Sequence, residues 1–190
     1  LIIDMTEGAV NGKAAAIWPV SYTNEVVDTD GDGKWDREYK TTKMVFRKIP
    51  AGKSVMGSPV SEVGRDDNEI QHEVTLTKPF YMGVFEVTQK QWKLITGKTP
   101  SMLKGDDRPA DLISFNMIRG ETKGAQWPLS SDVDSDSLVG RLRARTKLAG
   151  IDLPTEAQWE YACRAGTVSA LNNGMNLTND TSDASINDIA

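Results

Sequence analysis

"DLPTEAQWEYACRAGT", residues 152–167, contains the one cysteine of the chain together with a full set of helix signals. Thr155 is placed to cap a helix, and Gln158 three residues later closes a capping box, each side chain serving the other's backbone N–H. Pro154 stands just ahead of the cap, and Gly166 offers a stop. Inside the helix Trp159, Ala162 and Cys163 fall at i, i+3 and i+4, so they share a face. Glu156, Glu160 and Arg164 belong with water on this reading, which makes the Cys163 face the buried one. A reactive thiol needs an accessible, electropositive setting or a base beside it. The only histidine, His72, lies in a strand of the other half of the chain. Cys163 is therefore expected to be a small, buried, inert residue.

The same design occurs upstream in "EVTQKQWKLITGK", residues 86–98. Thr88 caps, Gln91 completes the box, Val87 and Trp92 form a hydrophobic staple, and Gly97 ends the helix. Between the two, "DSDSLVGRLRARTKLAG" (134–150) predicts a third helix with Leu138, Val139 and Leu142 inward. Acidic residues lead it and basic ones trail, as the helix dipole favours. The run Arg141, Arg143, Arg145 and Lys147 spreads around such a helix and reads as a solvated face.

Strand signals dominate the first half. "IWPVSYTNEVV" and "REYKTTKMVFRKI" are rich in β-branched and aromatic residues and flank an acidic, Gly-containing turn. "HEVTLT" alternates Val74 and Leu76 with polar residues, and "FYMGVFEV" puts Phe80, Met82 and Val84 on one face. The linking stretches "GKTPSMLKGDDRPADLIS" and "KGAQWPLSSD" read as irregular, and the tail from Ala170 is polar with no core signal.

Composition sets outer limits. The chain has 190 residues, 38% hydrophobic and 26% charged, with a net charge of −5, which suits one large or two small globular domains. The negative balance argues against a nucleic-acid partner. No apolar run reaches the roughly 18 residues of a membrane span. One cysteine excludes an internal disulfide framework and a multi-cysteine zinc site.

The most specific chemical signal is "DTDGDGKWD", residues 28–36. It places Asp28, Asp30, Asp32 and Asp36 at positions 1, 3, 5 and 9 of a calcium-loop pattern, with Gly33 at the sharp turn and the Lys34 carbonyl at position 7. Calcium would draw together carboxylates that otherwise repel. Position 12 is Tyr39 rather than a bidentate glutamate, and no helices flank the loop, so an EF-hand is excluded. A solvated hairpin with Trp35 tucked against the sheet is the alternative. His72 supplies at most one metal ligand, and a ring nitrogen bonded to backbone is its expected role. The sequons at Asn176 and Asn179 fall in the polar tail and carry little weight.

Taken in order, "MVFRKIPAGKSVMGSP", "NEIQHEVTLTKPFYMGVFEVTQKQW", "RPADLISFNMIRG" and "LPTEAQWEYACRAGT" resemble the formylglycine-generating enzyme, or sulfatase-modifying factor, family over about Met44 to Thr167. The resemblance implies an α+β, C-type-lectin-like fold, loop-rich, with twisted antiparallel sheets and about three helices, incomplete at its C-terminus. Residues 1–43 then form an accessory β-element with the Asp-rich hairpin, and 44–190 the N-terminal part of the family domain. Complete enzymes of the family use dioxygen and copper to oxidise a client sulfatase cysteine to formylglycine. Their copper-binding cysteine pair belongs to a C-terminal part with no counterpart here, so no catalytic residue carries over. Copper is expected only where that part exists. The other reading is a non-catalytic, exported bacterial module (periplasmic, cell-surface or extracellular) with a calcium-stabilised loop, binding a protein or glycan.

Overall fold

Alternating side chains and short apolar runs build six brief strands: β1 (Ile2–Asp4), β2 (Val20–Ser21), β3 (Lys43–Ile49), β4 (Gly52–Met56), β5 (His72–Leu76) and β6 (Phe80–Gly83). Among the described residues four helices follow: α1 (Gln89–Thr96), α2 (Phe115–Arg119), α3 (Leu138–Thr146) and α4 (Glu156–Arg164). The structure is a computed structural model and describes residues 1–6, 17–29 and 31–179. The resulting mixed α/β architecture with antiparallel sheets has one helix more than the sequence suggests. The addition is α2, five residues long and too short to show a period. "REYK" is a 3-10 turn at Arg37–Lys40 rather than the start of a strand.

Two compact units emerge, Leu1–Arg47 with Gly83–Asp152, and Lys48–Met82 with Leu153–Ala190. In the first, β1 runs antiparallel to both β2 and β3, pairing Ile3 with Val20 and with Met44. The sheet order is β2-β1-β3-β6; β6 joins at its Gly83 end, where the Val84 N–H donates to the Val45 carbonyl at 2.9 Å. Ile3, Met5, Trp18 and Met44 pack there with Trp92 and Ile95 of α1 and Leu138 and Leu142 of α3. The described part of residues 1–43 thus contributes to the same sheet and core as α1 and α3. All three expected inward residues of α3 are buried.

Each helix begins where its cap lies. Thr88 and Thr155 make complete capping boxes with Gln91 and Gln158, and Ser137 accepts from the Gly140 N–H to start α3. Gly97 takes the left-handed conformation that ends α1, at φ 76°. The stop of α4 comes one residue before Gly166, at Ala165 with φ 48°.

In the second unit β4 and β5 pair antiparallel, Ser54 opposite Val74 and Met56 opposite His72. Helix α4 packs on β4 at Gly52, where a Cβ would stand 2.4 Å from the Tyr161 hydroxyl. Only glycine leaves room for that ring. Glu160 accepts the Gly57 N–H at 3.0 Å, and Arg164 reaches back to Glu160 at 3.4 Å and to the Ser169 carbonyl at 2.8 Å.

Candidate functional site

These inward contacts of α4 reverse the expected orientation of Cys163. Glu160 and Arg164 are half-buried, whereas Trp159 is 57% exposed and Cys163 is exposed with it. The period of the helix was read correctly and its inner face was not. The polar side turns inward because Glu160 and Arg164 find a backbone N–H, a carbonyl and each other, which offsets their partial burial. Cys163 has the Asn172 side-chain amide 3.7 Å from its sulfur, and among the described residues no base hydrogen-bonds to it. His72 Nδ1 lies 2.9 Å from the Ile70 carbonyl, the backbone role expected of it.

The acidic hairpin is held by its own carboxylates. Asp28 accepts the N–H groups of Gly31 at 2.7 Å and Gly33 at 2.8 Å, and both glycines have positive φ, 72° and 76°. Asp36 accepts the Thr29 N–H at 3.1 Å and its hydroxyl at 2.8 Å, tying the two ends of the loop together. Asp32 accepts the Lys34 N–H at 2.8 Å and lies 3.5 Å from its ammonium. Trp35 anchors the far end, edge-on to Tyr39 and Phe85 at 5.8 and 5.2 Å. Asp30, the remaining expected ligand, lies outside the described residues. Among the described residues, no three acidic, histidine or cysteine side chains group around a point able to hold a metal ion.

Two of the α3 arginines also depart from expectation. Arg145 is 4% exposed, and its guanidinium stacks over the ring of Trp18 at 3.6 Å. Burial pulls its pKa below the ordinary arginine value. Arg143 donates to the carbonyls of Ile151 at 2.8 Å and Ser131 at 2.7 Å and pairs with Asp152 at 2.9 Å. Arg119, fully buried, takes the other oxygen of Asp152 and donates to the carbonyls of Gly124, Ser130 and Asp132. One carboxylate thus joins two guanidiniums and fixes the irregular segment 120–134.

That segment forms one wall of a cleft of about 360 Å3 bounded by α1, α2 and α3. Gly120, at φ 102°, sits so close to Asp134 that a Cβ would stand 2.3 Å from its side chain. Asp134 accepts from the Thr122 N–H and hydroxyl and the Lys123 N–H, and these bonds hold its carboxyl at about 2 against an ordinary 3.8. Trp92, 3% exposed, lines the cleft, and its indole N–H has no acceptor among the described residues. The cleft draws on residues from 92 to 141 that no local pattern links, so sequence reasoning missed it.

Comparison with known proteins bears on the fold just described. A family model for the sulfatase-modifying factor enzyme 1-like domain matches residues 33–186. The chain is 32% identical over 111 residues to "Chaperone protein LppX" of Paenibacillus barcinonensis, across 50% of this chain and 39% of that protein. It is 27% identical over 193 positions to the formylglycine-generating enzyme of Mus musculus, covering 86% of this chain and 50% of the enzyme. The Bos taurus enzyme is similar at 26% identity, with the same coverage. Among solved structures, PvdO from Pseudomonas aeruginosa superposes with a TM-score of 0.51 at 25% identity, over 68% of this chain and 49% of that one. The chain spans about half the length of the two enzymes it matches. With the family match running through most of its residues, this chain belongs to the sulfatase-modifying factor enzyme 1-like family.

Proposed function

We propose that this chain supplies the supporting part of a formylglycine-generating-enzyme-type domain, whose complete form oxidises a client sulfatase cysteine to formylglycine, and that the catalytic half lies outside these residues. The observation that carries the reading is the thiol inventory. A copper centre built on a cysteine pair does not fit the donors present, which are one cysteine and one histidine in 190 residues. Cys163 stands exposed on α4 with an amide beside it rather than a base or a second thiol. What the chain does supply is scaffold: two capped helices on a shared core, and an arginine–aspartate knot fixing the segment between α2 and α3. The test is incubation of the chain with a sulfatase-motif peptide, dioxygen and copper, read by mass spectrometry. The peptide cysteine should remain unconverted. Conversion that disappears in Cys163→Ala would overturn the proposal.

The hairpin at 28–36 is proposed as a calcium loop on the spacing of Asp28, Asp30, Asp32 and Asp36 about Gly33, with the Lys34 carbonyl as a fifth oxygen. The bond between Thr29 and Asp36, which already closes the loop, supports it. Calorimetric titration should show heat with calcium and little with magnesium, and Asp30→Ala with Asp32→Ala should abolish it. Absence of heat at millimolar calcium leaves a plain acidic turn.

A further inference from the structure

The cleft between α1, α2 and α3 contains neither Cys163 nor the acidic hairpin. Besides Asp134, four charged side chains line it: Lys98 beyond α1, Glu121 after α2, Asp136 ahead of α3, and Arg141 within α3. Two are cations and two are anions, and among the described residues none of them makes an ion pair. Arg141 is engaged only through Nε, which donates to the Asp136 main-chain carbonyl at 2.8 Å and leaves its terminal nitrogens to the cleft. Asp134 differs, because its carboxylate is already occupied by Thr122 and Lys123 and serves the wall. Trp92 and Met117 add apolar surface, and the buried indole N–H of Trp92 finds no acceptor among the described residues. The volume lies at the lower end of the range for small-molecule sites.

We propose that this cleft binds a small zwitterion of free amino-acid size, its cationic group facing Glu121 and Asp136 and its anionic group facing Lys98 and Arg141. The argument is one of matching. An anion alone is attracted by one pair and repelled by the other, and a cation meets the reverse. An apolar guest strips water from four charges and returns nothing. A molecule bearing both signs gives each of these four charges an opposite partner through charge-assisted hydrogen bonds. Arg141 presents the planar fork that suits a carboxylate, and Lys98 adds a point charge. An acceptor reaching the Trp92 indole N–H would make a bond that no described residue makes.

The experiment is an NMR titration of the nitrogen-15-labelled chain with the free L-amino acids and glycine betaine, each to about 10 mM. The indole signal of Trp92 is assigned through Trp92→Phe. Acetate, methylammonium and glucose are run at the same concentrations. At least one zwitterion should shift the Trp92 indole and the amides of 120–122 saturably, with each single-charge compound weaker by about tenfold or more. Glu121→Gln and Arg141→Gln should each weaken that binding by about tenfold, while melting stays at the parent temperature. The proposal is overturned if no zwitterion gives a saturable shift, or if acetate, methylammonium or glucose binds as tightly as the best of them. Undiminished binding in both variants overturns it too.

Discussion

Replacing Asp152 by alanine should destabilise the unit that carries the cleft more than any change at the surface. The Arg119 side chain is wholly buried, those of Asp152 and Arg143 are 15% and 18% exposed, and the carboxylate gives one oxygen to each guanidinium. Without it Arg119 keeps three carbonyl acceptors but loses its counter-charge. Removing one member of a buried pair costs about 3–5 kcal/mol. Arg143 adds little, since it retains the Ile151 and Ser131 carbonyls and lies nearer solvent. At about 2–4 °C per kcal/mol for a chain of this size, the melting temperature should fall by roughly 6–20 °C. Asp152→Asn, which keeps the volume and one acceptor, should lose roughly half as much. Arg119→Met combined with Asp152→Leu should recover part of the loss, because apolar replacements of similar volume leave no buried charge unpaired. Calorimetric melting of the four proteins reads all of this. If Asp152→Ala melts within about 2 °C of the parent, the knot does not hold the segment.

Leu112 is 63% exposed at φ 57°, so its backbone is strained with little buried contact in return. Leu112→Gly relieves about 1–2 kcal/mol of left-handed strain against about 0.5–1 of glycine's unfolded-state entropy, and a net gain in denaturant midpoint is expected; a clear loss would refute it. Cys163, being exposed, should react quickly with a bulky maleimide in the native chain, and Cys163→Ser should change stability by no more than about 0.5 kcal/mol; slow labelling would restore the buried reading. For Asp134 the folded pKa of about 2 lies below the ordinary 3.8, so its contribution is fully present above pH 3.8 and is lost as pH falls towards 2. Asp134→Asn should flatten that part of the acid-stability profile and leave the profile above pH 5 parallel to the parent; an unchanged acid limb would count against the assignment. Thr88→Ala should cost near the upper end of about 0.5–2 kcal/mol and Thr155→Ala near the lower end; equal losses would contradict their different burial.

Helix starts were legible because a cap acts over four residues, and the two expected caps, Thr88 and Thr155, have their bonds in the structure. Strand positions were legible where apolar residues alternate, as in β5 and β6. The three-residue β1 and the five-residue α2 offer too few residues for a period to emerge, and β4, "GKSVM", does not alternate apolar with polar residues. What could not be read was which stripe of a helix meets the rest of its unit. For α4 that depended on Gly57 and Ser169 offering bonds to Glu160 and Arg164. For α3 it depended on Trp18, more than a hundred positions away, offering a face to Arg145. Long cationic side chains can be drawn inward by such partners, so an alternating basic run does not by itself mark a solvated face. The acidic turn was readable in outline because its aspartates and glycines are contiguous, whereas the cleft is assembled from three helices.

The two capping boxes show where local chemistry stops and packing begins. Both follow the same pattern of Thr and Gln three residues apart, and both make the same reciprocal pair of bonds. Thr88 and Gln91 are each 2% exposed, whereas Thr155 is exposed and Gln158 half-buried. Burial gives the first pair further duties. The Thr88 hydroxyl donates to the Lys40 carbonyl at 2.7 Å, and the Gln91 amide donates to the Lys43 carbonyl at 2.7 Å. The Lys40 carbonyl belongs to the turn that leads into β3 and the Lys43 carbonyl to the first residue of β3, so α1 is fastened to its sheet through the atoms that begin the helix. Removing Thr88 therefore leaves a backbone carbonyl and an N–H without partners out of reach of water, while removing Thr155 leaves an N–H that solvent can satisfy. The sequence pattern specifies the cap; the weight each cap carries is set by what the rest of the chain lays against it.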